Sequence, residues 1–88
     1  MEIWIFNGEG GRFPIGVFTN RLNAEFWIAK YKLTGILTLY PLDEGVYDWA
    51  IQNKYFNVKN ENEKASIFIQ KFTSASMEHY HYEDGALD

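Results

Sequence analysis

Asn7-Gly8-Glu9-Gly10-Gly11-Arg12-Phe13-Pro14 (NGEGGRFP) lies between two short apolar runs near the amino terminus, and the kind of element it leads into decides the fold. A glycine-rich loop beside an arginine cradles phosphate when it runs from a strand straight into a helix, whose amino-terminal N–H groups then meet the anion. The run before it, Glu2–Phe6 (EIWIF), reads as a strand from its β-branched and aromatic residues, and the run after it, Ile15–Phe18 (IGVF), reads as a second. No Gly-Lys-Ser or Gly-Lys-Thr comes after the loop, and Gly8-x-Gly10 lacks the third glycine of a dinucleotide fingerprint. The stretch is therefore a hairpin connection. Asn7-Gly8 and Gly10-Gly11 supply the positive φ angles such turns demand, and Pro14 opens the second strand, where its missing donor does little harm. The loop exceeds a minimal turn, so Glu9, Arg12 and Phe13 are offered to a partner.

Working outward, Ile3 and Ile5 point to one side of the first strand and Trp4 and Phe6 to the other. Two apolar faces imply an interior strand, and the second face needs a cover: a helix, a second copy or a target protein. After Phe18 the apolar period changes from 2 to 3.6. Thr19 or Asn20 caps a helix reaching Lys32, with Leu22, Phe26, Ala29 and Leu33 along one face and Ala24, Trp27, Ile28 and Tyr31 widening it. Gly35 is expected to supply the left-handed stop. Ile36–Leu42 (ILTLYPL) is the third strand. A second helix is expected from about Glu44 to Lys54, with Val46, Trp49, Ala50 and Asn53 on one face and Tyr47, Ile51 and Tyr55 flanking it. Asn60 and Glu63 have capping-box spacing for a third, shorter helix that turns Ala65, Phe68, Ile69 and Phe72 inward. Met77–Glu83 (MEHYHYE) alternates like a strand, and residues 85–88 are expected to fray. The order ββαβααβ predicts an α+β fold: a small, mostly antiparallel sheet of about four strands with two or three helices.

A length of 88 residues predicts one domain, 1–88, burying roughly 60–65% of its unfolded surface. The aromatic share of 18% lets so short a chain hide much area, since each large ring buries about 150–250 Å². No cysteine is present, which excludes a disulfide framework, a thiol nucleophile and a thiolate metal site, and fits a reducing cytoplasm. The amino terminus lacks a basic segment leading into an apolar stretch, and no apolar run nears the roughly 20 residues that span a bilayer. A cytoplasmic location without membrane partners is the expectation. The formal net charge of −4, with its basic residues scattered, argues against nucleic acid and for a partner with a basic surface.

The sharpest local constellation is EHYHYED. On a strand His79, His81 and Glu83 share one face, with Glu78, Tyr80 and Tyr82 on the other. Residues two apart on a strand lie about 6.5–7 Å apart and those four apart about 13 Å, so one metal takes at most the histidine pair and needs a further ligand from elsewhere. The other constellation is acidic, Asp43, Glu44 and Asp48 around Tyr47 and Trp49. Carboxylates at a helix start complement the dipole without any catalysis, and beside aromatic residues they suit a basic partner patch. No serine has an elbow motif, and both histidines sit together near the chain end, so no nucleophile triad is supported.

The runs WIFNGEGGRFP, VFTN, AEFWI, LTLYPLDEGVYDWAI and FTSASMEHYHYE together resemble an uncharacterised bacterial family of small single-domain proteins, and the resemblance covers nearly the whole chain. It implies no reaction, and no catalytic residue is carried over. Small acidic proteins of this kind are similar to immunity proteins, which block a toxin made by the same or a neighbouring cell; that likeness is one of size and charge rather than of residues. The expectation is a non-enzymatic protein-binding module, an immunity-like or anti-toxin inhibitor, without a cofactor. Its candidate contact residues are Glu9, Arg12, Asp43, Glu44, Tyr47 and Asp48. The alternative is a small-molecule or metal-binding domain using His79 and His81, and a homodimer is a further partner that the aromatic excess allows.

Overall fold

Alternation of aromatic and β-branched residues builds the sheet first. The computed structural model describes all residues, Met1–Asp88, in an α+β fold. In chain order its elements are β1 (Glu2–Gly8), β2 (Pro14–Phe18), α1 (Arg21–Tyr31), β3 (Gly35–Pro41), α2 (Val46–Gln52), a 3₁₀ turn (Glu61–Lys64), α3 (Ser66–Ile69), β4 (His79–Glu83) and β5 (Ala86–Leu87). They fall into two compact units, Met1–Leu42 with Met77–Asp88, and Asp43–Ser76. No helix is long and apolar enough to cross a membrane.

The first unit is a five-stranded sheet in the order β2-β1-β3-β4-β5, every neighbouring pair antiparallel. Register sorts the side chains. Trp4 and Phe6 of β1 face the same side as Phe18, Leu37, Leu39, Tyr80 and Tyr82, because Trp4 pairs with Phe18 and Leu39, Phe6 with Leu37, and Leu37 with Tyr80. On that side α1 packs, and Phe6, Ala24, Ile28 and Leu37 lose all solvent contact. The opposite side carries Ile3, Ile5, Val17, Ile36, Thr38, Tyr40, His79 and His81. The two apolar faces of β1 therefore place it inside the sheet, as its sequence implies, and a helix covers the Trp4–Phe6 face.

Four details depart from the sequence reading. First, the turn between β1 and β2 is Gly8–Gly11, closed by the Gly11 amide donating to the Gly8 carbonyl at 3.0 Å. Only Gly10 has positive φ there, at +79°, as the third position of a type II turn requires. Asn7-Gly8 belongs to β1 and pairs with Ile36 and Gly35. The register of β1 against β2 shifts between Phe6 and Asn7, and β2 forms one edge of the sheet with Ile15 and Val17 exposed.

Second, α1 buries Ala24 and Ile28, whereas Leu22 and Phe26 remain 61% and 66% exposed. The helix is apolar on nearly every side, so periodicity alone does not choose the face; the small Ala24 permits close approach to the sheet, and Leu22 and Phe26 are turned out. Third, its left-handed stop is Lys32, φ +52°, not Gly35. Gly35 is the first residue of β3 and is kept small by the crowding of β1. Asn20 is the N-cap, its Oδ1 accepting from the Asn23 amide at 2.8 Å. Asn20→Ala should cost about 1 kcal/mol, read as a lowered urea midpoint with unchanged slope.

Fourth, the carboxyl end is ordered as a hairpin. Asp84 (φ +51°) and Gly85 (φ +87°) both take left-handed angles, the demand of a two-residue type I′ turn, and Tyr82 pairs with Leu87 and Glu83 with Ala86. The Gly85 amide donates to the Leu33 carbonyl at 2.9 Å and the Asp84 amide to the Thr34 hydroxyl at 3.0 Å, which docks the turn onto the end of α1. Residues 86–87, expected among the frayed end, are thus the fifth strand.

The second unit gathers Tyr47, Phe56, Phe68 and Phe72 into an aromatic cluster, with the Phe56 and Phe72 centroids 5.0 Å apart and those of Tyr47 and Phe72 5.4 Å apart. α2 is shorter than expected, begins at Val46 after the Gly45 cap and ends where Asn53 Nδ2 donates to the Trp49 carbonyl at 2.8 Å. Asn60 does cap the turn, its Oδ1 accepting from the Glu63 amide at 3.1 Å, while Glu63 Oε1 reaches back one residue further than a capping box does and accepts from the Lys59 amide at 2.7 Å. The capped element is only a 3₁₀ turn, however. The Tyr47 hydroxyl donates to the Glu63 carbonyl at 2.7 Å, taking an acceptor that a continuing helix would use, and the chain is extended at Ala65 before α3 starts. Ile69 stays exposed, and Phe72 lies beyond α3.

Candidate functional site

The candidate contact residues divide between the two units. Glu9 and Arg12 lie on the exposed β1–β2 loop of the first unit. The Glu9 amide is tied to the Thr34 carbonyl at 2.9 Å, which holds the backbone while the carboxylate is free, and the Arg12 guanidinium lies 5.7 Å from the Phe13 ring centroid. Next to this loop is a cavity of about 360 Å³ lined by Glu9, Thr34, Ile36, His81, Glu83 and Asp88 among others. Glu9, Glu83 and Asp88 form no ion pair, because the ion pairs of the molecule are Arg21–Glu25, Arg21–Glu78 and Lys64–Glu61. The type I′ turn at Asp84-Gly85 brings Asp88 to this place, its amide donating to the His81 carbonyl at 2.9 Å. Sequence reading missed Glu83 and Asp88 as neighbours of Glu9; the Asp-Gly pair was the signal that could have found them.

Asp43, Glu44, Tyr47 and Asp48 lie in the second unit. Asp43 holds φ +61°, a left-handed angle that Asp tolerates better than most residues, and redirects the chain into Gly45, which caps α2 without a side-chain bond. Asp48 occupies the first turn, where its charge complements the helix dipole. Asp43 and Asp48 are exposed and Glu44 is half-buried, and none forms an ion pair. Tyr47 is different: its ring packs on Phe56, Phe68 and Phe72 and its hydroxyl is committed to Glu63, so within this group the carboxylates alone are free to meet a partner.

His79 and His81 are exposed on β4, their rings edge-on with centroids 5.6 Å apart. The Nδ1 of His79 lies 2.8 Å from the Met77 carbonyl, an acceptor that requires the proton on that nitrogen. No group of three or more His, Asp or Glu side chains is placed to hold a metal ion.

The tyrosines on the other side of β4 anchor it to α1. The Tyr82 hydroxyl donates to Glu25 at 2.5 Å and that of Tyr80 to Glu78, while Arg21 pairs with both carboxylates and lies 4.1 Å from the Tyr80 centroid. Burial first, and then the Glu25 carboxylate, push the Tyr82 phenol far above its usual range; the bond to Glu78 is the main cause that raises Tyr80. Both phenols remain donors at neutral pH. The network joins strand to helix and presents no nucleophile.

A family model described as a domain of unknown function (DUF7710) matches residues 3–88, and the chain belongs to that family. No curated protein and no solved structure matches it.

Proposed function

We propose that this member of a family of unknown function is a non-enzymatic protein-binding module, an immunity-like inhibitor that covers a basic surface of its protein partner. The observation that carries the reading is the set of carboxylates left without a cationic neighbour: Glu9 on the hairpin loop, and Asp43, Glu44 and Asp48 ahead of and within α2. Unpaired exposed charges of one sign steer an oppositely charged surface and raise the rate of encounter, while contributing less to the lifetime of the complex. Arg12, its guanidinium near the exposed Phe13 ring on the same loop, adds a cationic and aromatic pair of residue types enriched at interfaces. A bacterial, cytoplasmic toxin is the partner class that this reading favours.

The test begins with capture of the partner from native cell extract at low and high salt. The triple variant Asp43→Asn, Glu44→Gln, Asp48→Asn is then expected to bind about tenfold more weakly at low ionic strength, the loss falling mainly on the association rate and shrinking as salt is added. Its urea unfolding should stay close to that of the parent. Unchanged association kinetics in the folded variant at every ionic strength would remove the acidic patch from the account.

A further inference from the structure

We propose that the phenylalanine-lined cavity of the second unit binds a small aromatic monocarboxylate. The cavity measures about 520 Å³, and its lining includes Phe56, Phe68 and Phe72 together with Lys71, Thr73 and Ser74. That volume falls in the usual range of small-molecule sites and suits one or two fused rings. The three phenylalanines are mutually packed, Phe56 against Phe68 nearly parallel at 5.9 Å and against Phe72 steeply inclined at 5.0 Å, yet each keeps part of its ring open. A ring entering there meets both a face and an edge, the two arrangements that aromatic quadrupoles favour.

Charge selects the second half of the ligand. Lys71 is the sole ionisable side chain with charge at neutral pH along the lining, and no carboxylate of the protein pairs with it. The backbone amides of Thr73, Ser74 and Ala75 donate to no group of the protein, while the neighbouring Ser76 amide is taken by the Ser74 hydroxyl at 3.2 Å. One cation, free amides and hydroxyls beside an apolar wall accept a single negative group carried on an aromatic body. An ammonium group would meet Lys71 with like charge, and a long acyl chain would outrun an open cavity of this size. None of the carboxylates invoked for the protein partner lines this cavity, and the proposal does not depend on that reading.

The test uses the full chain, isotopically labelled, titrated with 3-phenylpropanoate and separately with its neutral isostere 3-phenylpropanamide while amide chemical shifts are tracked. The expected result is saturable shifts confined to residues 55–76, with the acid bound about tenfold more tightly than the amide. In Lys71→Gln, an exposed position without an ion pair, acid and amide should bind alike while the thermal midpoint holds. Absence of saturation, shifts that map elsewhere, or equal affinity for acid and amide in the parent would each overturn the proposal. So would concentration-dependent shifts of the same residues without ligand, which would show a second copy seated on the cavity.

Discussion

Gly35→Ala is expected to destabilise the chain by about 4 kcal/mol, a loss that takes most of the stability of a small domain at the low end of the usual range. A Cβ at this position would lie 2.2 Å from the Asn7 carbonyl oxygen, 2.8 Å from Cζ of Phe6 and 2.9 Å from Cα of Gly8. Two of those three atoms are backbone and cannot rotate aside. β1 and β3 are locked together by seven consecutive residue pairs from Glu2–Pro41 to Gly8–Gly35, and strands in such a ladder stay about 4.8 Å apart. Relief therefore requires the end of the ladder to part or Phe6 to leave its rotamer. Urea denaturation of parent and variant measures the cost. A loss under about 1 kcal/mol would mean that the strands separate there without resistance and would contradict the Gly8–Gly35 register.

Phe6→Ala is expected to cost about 3–5 kcal/mol. The ring has no solvent exposure and stands edge-on to Trp27 at 6.3 Å and steeply inclined to Tyr82 at 6.4 Å, so it is the contact shared by the sheet, α1 and β4. Its removal takes the burial energy of one large ring and leaves a void that Ile28 and Leu37 on either side fill only in part. Phe6→Leu, which keeps most of the volume, should cost under about 1.5–2 kcal/mol. Near-ultraviolet circular dichroism should weaken in Phe6→Ala through the loss of fixed geometry around Trp27. Because Phe6 Cζ is also what a Gly35 methyl would strike, the two substitutions should be non-additive: Gly35→Ala is expected to cost less in the Phe6→Ala background.

How much of this was legible in the residues depends on the range of the cause. Strands β1, β2 and β3 come from alternation and β-branched content, which are local, and so does the choice of hairpin over phosphate cradle at Asn7–Pro14. The buried face of α1 was not legible, because Leu22, Phe26, Ala24 and Ile28 offer two apolar stripes and only the approach of the sheet decides between them. Gly35 was read as a helix stop because glycine so often is one; its true constraint is a carbonyl that lies 28 residues earlier in sequence, at Asn7. The aromatic cluster of the second unit draws on Tyr47, Phe56, Phe68 and Phe72, and its interruption of a helix at Glu63 is again a distant effect. Asp84-Gly85, by contrast, was a local signal that could have been used. Of the carboxylates read as a helix-start group, only Asp48 lies in the first turn of α2, Asp43 and Glu44 preceding the Gly45 cap; their freedom from ion pairs and the engagement of Tyr47 are properties of the folded chain.

The position of β2 has a bearing on colloidal behaviour. Pro14–Phe18 contains no charged residue, so this rim of the sheet lacks the lysine and glutamate guards that commonly deter strand addition between molecules. Two substitutes are present: the proline contributes no donor, and the shift in pairing at Phe6 and Asn7 breaks the flatness of the rim. What remains straight is Gly16–Phe18, about 10 Å of chain. A template so short gives a neighbouring molecule few hydrogen bonds, so brevity rather than charge is the guard this border has against strand addition.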